Sequence, residues 1–140
     1  MMETLNNSPQ ELKTPYSLEE LSYFRQLILN KRREAEEEIE RLQNTIKEQR
    51  LADEADNSSN AHHIGDMGSE EQEMSLNYML MQRTKAYVNQ LNRALVRIEN
   101  GTYGVCRATG KPIPKGRLEI VPHTRYGIDA KKMGLDKRMN

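Results

Sequence analysis

The sequence predicts a mainly α protein, a long antiparallel α-helical hairpin carrying a small C-terminal globule. Three observations predict it. Two long segments repeat apolar residues at helical spacing, one on each side of a polar stretch at 53–68. That stretch has no Lys or Arg but holds Asp53, Glu54, Asp56 and Asp66, with His62 and His63 between them. After Gly101 the texture changes to short apolar pieces punctuated by Gly104, Gly110, Pro112, Pro114, Gly116, Pro122 and Gly127. With 36% apolar and 30% charged residues, no Trp and one Phe, the 140-residue chain suits helices with one buried seam.

Residues 1–16 are polar, hold Pro9 and Pro15, and read as a flexible arm. The hairpin is expected over 17–100. Ser17 and Glu20 have capping-box spacing ahead of an apolar-periodic run, which marks a helix start. The seam Leu21, Phe24, Ile28, Ala35, Ile39, Leu42, Ile46 advances in steps of three, four or seven, the period of a coiled coil. Lys31, Arg32 and Arg33 precede Glu36, Glu37, Glu38 and Glu40, so opposite charges meet on the wet faces. This helix is expected to end near Leu51. The second is expected from Ser69, with Gln72 reaching back to cap it. Its seam runs Met74, Tyr78, Met81, Val88, Leu91, Leu95, Ile98, with Thr84 as the polar step, and Gly101 suits the left-handed position past its end. Methionine at this spacing is adaptable packing, not a metal site. Two matched helices place the acidic tip far from the rest of the chain.

The remainder divides into a turn-rich knob at 101–131 and a basic tail at 132–140. So small a knob rarely builds a sufficient core. It is expected to lean on the base of the hairpin through Tyr103, Val105, Ile113, Leu118, Ile120, Val121 and Ile128. Net charge is zero, yet residues 1–100 carry 12 basic against 18 acidic side chains, and residues 101–140 carry 9 against 3. Such a chain can offer opposite signs to two parts of one large partner. The single cysteine, Cys106, excludes an internal disulfide. The N-terminus lacks the apolar core of a signal peptide and no run is long enough to span a membrane, so a cytoplasmic protein is expected.

The segments Gly101-Thr-Tyr-Gly-Val-Cys106, Gly110-Lys-Pro-Ile-Pro and Arg117-Leu-Glu-Ile-Val-Pro122 resemble the finger of the DksA/TraR family of bacterial transcription regulators. The stretch His63-Ile-Gly-Asp66-Met-Gly-Ser-Glu70 resembles one variant of that family's coiled-coil tip. The resemblance covers roughly 17–131. It implies a helical hairpin with a zinc-ribbon-like globule, binding to RNA polymerase rather than to promoter DNA, and entry of the hairpin into the secondary channel. The family's four finger cysteines fall here on Cys106, Thr109, Gly127 and Ala130, so three of the four ligand positions are gone. Structural zinc takes four ligands in tetrahedral array. A degenerate, metal-free finger is therefore expected, with Cys106 as a small buried hydrophobe and no cofactor.

At the tip, the positions of the motif D-x-x-D-x-A in the best-known members hold His63, Asp66 and Gly68. Asp66 is the shared acid, and it also has the position of a helix-start residue. Arg83 matches a basic family position at the channel rim. Of the basic positions that hold a nucleotide alarmone in some members, Lys131 alone matches, with Gln90 and Val121 at others, which leaves an alarmone response open to doubt.

The resemblance makes His63, Asp66, Gly68, Arg83, Arg117 and Lys131 the candidate partner-binding residues of a monomeric, non-enzymatic regulator of initiation. The competing reading from the residues alone is a coiled-coil adaptor or homodimerisation protein. A third is nucleic-acid binding through Arg107, Lys111, Lys115, Arg117, Arg125, Lys131 and Lys132, for which no ordered reading motif is present. No nucleophile–base pair or full metal set can be assembled for an enzyme.

Overall fold

The computed structural model describes residues 13–59 and 64–134, with side chains described outside 56–69. Two long helices, α1 (Leu18–Ser59) and α2 (Ile64–Asn100), form the helical hairpin, and two short ones, α3 (Lys115–Ile120) and α4 (Ile128–Lys132), follow. Among the described residues none of the helices is long and apolar enough to cross a membrane.

The capping box at the start of α1 forms as the spacing predicts. The Ser17 N–H donates to Glu20 Oε1 at 2.8 Å, and the Glu20 N–H donates to Ser17 Oγ at 3.2 Å. At the end of α2, Gly101 takes φ +76°, and the Thr102 N–H reaches back to the Arg97 carbonyl at 2.9 Å. That is the Schellman closure, which satisfies a carbonyl the helix itself leaves open.

Both long helices reach farther into the polar stretch than its composition predicts. α1 continues past Leu51 to Ser59, and α2 starts at Ile64 instead of Ser69. Residues 52–59 are polar but contain no Gly or Pro, and Ala52, Glu54 and Ala55 are good helix formers. Polarity alone does not stop a helix. Ser69 is the sixth residue of α2, so the expected cap with Gln72 is replaced by a start five residues earlier.

The fold divides into two compact units, Met1–Lys31 with Gln90–Asn140, and Arg32–Asn89. In the second, Leu42, Ile46 and Met81 are buried together, with Ile39 packed against them. Beside this cluster Asn77 donates to Gln49 and Arg50 donates to the Tyr78 hydroxyl, while farther back along α1 Glu34 acts electrostatically on Tyr87, so rising numbers on α1 meet falling numbers on α2. The pairing is antiparallel. Tyr78 and Leu80 are exposed, and Met74 and Val88 are only partly covered, because a two-helix pair shields a narrow stripe.

The first unit holds the deeper core. Phe24, Ile28, Leu91, Ala94, Tyr103, Ile113 and Leu118 are at most 1% exposed, the packing of a true interior. Ala94, not Leu95, faces inward on α2, since a 3.6-residue helix drifts against a 3.5-residue pattern. The knob's expected core needs the same revision. Ile120 and Ile128 are exposed, and Pro122, Tyr126 and Ala130 are buried instead, beside Cys106, which is buried as expected. The knob contains α3 and α4, which its glycines and prolines conceal in the sequence. Its remaining pairing is one antiparallel bridge between Val105 and Pro112.

The end of the supposed N-terminal arm is held in place. The Thr14 N–H donates to the Gly101 carbonyl at 2.7 Å, and the Tyr16 hydroxyl donates to the Ile113 carbonyl. The Tyr16 ring packs edge-on against Phe24. It also covers Gly104, where a Cβ would lie 2.5 Å from the ring. Residues 1–12 lie outside the described residues.

Candidate functional site

The knob starts from an aromatic pivot. Tyr103 is fully buried, its ring centroid lies 5.6 Å from that of Phe24, and its hydroxyl donates to the Pro122 carbonyl at 2.8 Å. Burial raises its pKa, with Arg97 pulling the other way. From this pivot the chain makes a first knuckle. The Cys106 N–H donates to the Lys111 carbonyl, the Gly110 N–H to the Cys106 carbonyl, and the Ile113 N–H to the Gly104 carbonyl, each at 2.8 Å. Gly110 takes φ +75°, as such a reversal requires.

The second knuckle, 127–130, lies against the first. The Arg107 N–H donates to the Arg125 carbonyl at 2.7 Å, joining the first knuckle to the segment that leads into the second. The buried Cys106 thiol is pushed up by burial and pulled down by donors at Gly127, Thr109 and Ala108, and the donors win. Ala130, at another former cysteine position, is fully buried, and Thr109 is exposed.

One cleft stands out in this unit, with a volume of about 550 Å³. Six cations line it: Arg93 and Arg97 from α2, Arg107, Arg117, Arg125, and Lys131 from α4. Among the described residues no carboxylate lines it. Burial brings the Arg97 pKa down to about 10, with Arg125 and Arg93 adding to the effect, and Arg97 donates to the His123 carbonyl at 3.1 Å. Burial also lowers Arg125, with Arg107 and Arg93 contributing. His123, at the same cleft, lies below its ordinary value near 6.5 through burial, then through Arg97 and Lys31. The site is suited to negative charge.

The sequence-derived candidates separate. Lys131 lines the cleft, beside Gln90 and Val121, the positions where its resemblance to an alarmone site breaks off. Arg117 also lines it but is partly buried, and it donates from Nε to the Tyr126 carbonyl at 2.9 Å. Arg83 belongs to the other unit and is exposed. Asp66 and Gly68 are the third and fifth residues of α2, with side chains outside the described part. His63 lies outside the described residues. The cluster of Arg93, Arg97, Arg107 and Arg125 was not legible as one site. Its members spread over 32 positions, from Arg93 to Arg125, and become neighbours only when the knob folds onto α2.

Residues 101–132 match the prokaryotic dksA/traR C4-type zinc finger. Over 136 residues, 94% of this chain and 87% of the relative, the sequence is 27% identical to the RNA polymerase-binding transcription factor DksA of Caulobacter vibrioides. It is 35% identical over 69 residues to general stress protein 16O of Bacillus subtilis, a match that spans 49% of this chain and 42% of the relative. Among solved structures, transcription factor DksA2 from Pseudomonas aeruginosa superimposes with a TM-score of 0.71 at 25% identity, covering 89% of each chain.

Four-cysteine zinc binding, which the finger's description implies, does not fit the residues present. Of the positions Cys106, Thr109, Gly127 and Ala130, the first alone is a metal ligand, and among the described residues no group of three or more His, Cys, Asp or Glu could hold an ion. The likeness nevertheless runs through both the hairpin and the finger, and together the finger match, the DksA relative and the DksA2 structure support the DksA/TraR family for this chain.

Proposed function

We propose that this protein is a non-enzymatic transcription regulator that binds RNA polymerase directly, enters its secondary channel with the hairpin, and changes initiation through the tip. The observation that carries this reading is the 136-residue likeness to an RNA polymerase-binding DksA, which includes the hairpin as well as the finger. A likeness confined to the finger would support a small structural module equally well. The charge distribution supports the same reading, because the acidic hairpin and the basic knob can meet different parts of one large partner.

In this reading affinity comes from the sides of the hairpin, including Arg83, and from the basic knob with Lys131. The tip residues His63, Asp66 and Gly68 act on the polymerase centre. Asp66 stands in the first turn of α2, where a carboxylate also favours the helix dipole by about 0.3–1 kcal/mol. The two roles are separable. Asp66→Asn is expected to leave retention on core RNA polymerase almost intact and to abolish the effect on transcription, while lowering stability by no more than the dipole contribution. A variant that regulates like wild type would reduce Asp66 to a helix-start residue. The adaptor reading predicts something else again: no retention on polymerase, and a size in solution that rises with concentration.

A second reading concerns the arginine-lined cleft. Six cations without a carboxylate favour an anionic ligand there, and the class implied by family resemblance is a phosphorylated nucleotide. Arg93, Arg97, Arg107 and Arg125 supply charge that Gln90 and Val121 do not. Guanidinium groups suit phosphate because they offer paired donors.

A further inference from the structure

The disagreement between a zinc-finger pattern and a chain with one cysteine leaves a physical question. A finger this small needs a cross-link, since about thirty residues rarely bury enough apolar surface to hold themselves. In a four-cysteine finger the metal ties two knuckles together. The corresponding stretches here are 106–109 and 127–130, and something other than metal must tie them.

Hydrogen bonds converge on the segment that leads into the second knuckle. The Arg117 Nε donates to the Tyr126 carbonyl at 2.9 Å, and its terminal nitrogen makes a longer 3.4 Å contact with Thr124 Oγ1. Thr124 Oγ1 donates to that same carbonyl at 3.1 Å and accepts from the Tyr126 N–H at 3.2 Å. One residue back, the Arg125 carbonyl takes the Arg107 N–H from the first knuckle. Arg117 itself stands on α3, next to the fully buried Leu118, so its backbone is anchored in the knob core. We infer that the Arg117 guanidinium is a cross-brace that takes over, in this finger, the mechanical task of the missing zinc. It fixes α3 to 124–126, and 124–126 is tied in turn to the first knuckle.

The chemistry suits the task. A guanidinium is always charged, holds its donors in a rigid fork and gives charge-assisted bonds to carbonyls, so one side chain can hold two acceptors in place. Lysine carries the charge without the fork. The assignment also gives Arg117 a role other than partner contact, because its Nε is committed to the protein's own backbone.

The test uses the full chain, expressed with added zinc, and measures metal content, thermal unfolding and the near-ultraviolet signal of the tyrosines. Wild type is expected to carry no stoichiometric zinc and to melt identically with and without chelator. Arg117→Met is expected to lower the melting midpoint by roughly 5–10 °C, and Arg117→Lys to recover less than half of that loss. A second construction guards against a variant that simply fails to fold. Thr109→Cys, Gly127→Cys and Ala130→Cys together restore the four-cysteine set. Gly127 accepts a side chain without strain, having φ −74° and open space where a Cβ would stand. In that background zinc is expected to bind and the Arg117→Met loss to shrink at least twofold. The inference is overturned by about one zinc per wild-type chain lost with the fold in chelator. It is equally overturned by Arg117→Met melting with wild type, by Lys restoring full stability, or by a loss unchanged in the zinc-binding background.

Discussion

The two units of this protein are made from the same pair of helices and hold together differently. In the unit formed by Met1–Lys31 and Gln90–Asn140, helix ends, knob and the short segment before α1 enclose side chains on several sides, and Phe24, Ile28, Leu91, Tyr103, Ile113 and Leu118 are all but removed from water. In the unit Arg32–Asn89, two helices cover only one stripe of each other. Its best-buried residues, Ala35, Leu42, Ile46 and Met81, keep 4–8% exposure, and Leu51, Leu76 and Met79 are more than half exposed. Heptad spacing looks equally good in both. The lesson is that a seam defines which face turns inward, whereas the number of layers above it defines how much is buried. Burial is deepest in the unit that includes the knob, so truncations are expected to cost more there than in Arg32–Asn89.

That contrast can be broken by paired truncations. Phe24→Ala removes the ring that contacts Tyr16, Tyr23 and Tyr103, and is expected to cost about 3–5 kcal/mol in denaturant unfolding. Leu42→Ala is expected to cost about 2 kcal/mol, at the low end for such a change, because the outer seam is open to solvent at its edges and can collapse. Equal costs would mean that the knob adds nothing to the base of the hairpin.

Gly104→Ala sharpens the comparison within the first unit. Gly104 takes φ +84°, and the added methyl would press on the Tyr16 ring. A loss of about 2–3 kcal/mol is expected, accompanied by release of the segment before α1, measurable as faster amide exchange at Thr14. A substitution at the exposed outer hairpin has no such consequence.

The smallest expected effect is a pH dependence confined to the first unit. The folded-state pKa of His123 is depressed, so the unfolded chain binds its proton first as pH falls. Stability is therefore expected to be complete above about pH 6.5 and to decline as pH drops from there through the folded value, because protonation adds a cation beside Arg97 and Lys31. Melting curves of wild type and His123→Asn between pH 7.5 and 5.5 should converge toward the acid end. Parallel curves would remove His123 from the account.

Much of this was legible in the sequence. The capping box at Ser17, the Schellman end at Gly101 and the seam of α1 follow from local spacing and side-chain chemistry, and the burial of Cys106 follows from the resemblance to a finger whose other metal ligands are gone. Local rules act over a few residues, so a few residues suffice to state them. Composition was a poorer guide near the tip, where a polar stretch without helix breakers continues both helices.

The tertiary structure decided what depends on distant parts meeting. Tyr16 shields Gly104 from 88 positions away, Ala94 displaces Leu95 from the interior, and Ile120 and Ile128 stay wet because the knob already has Tyr103, Ile113 and Leu118 at its centre. The arginine cleft and the Arg117 cross-brace belong to the same class. Periodicity specifies which way a side chain points from its own element, but burial, electrostatic crowding and cross-linking depend on what comes to stand opposite, and the folded chain alone supplies that.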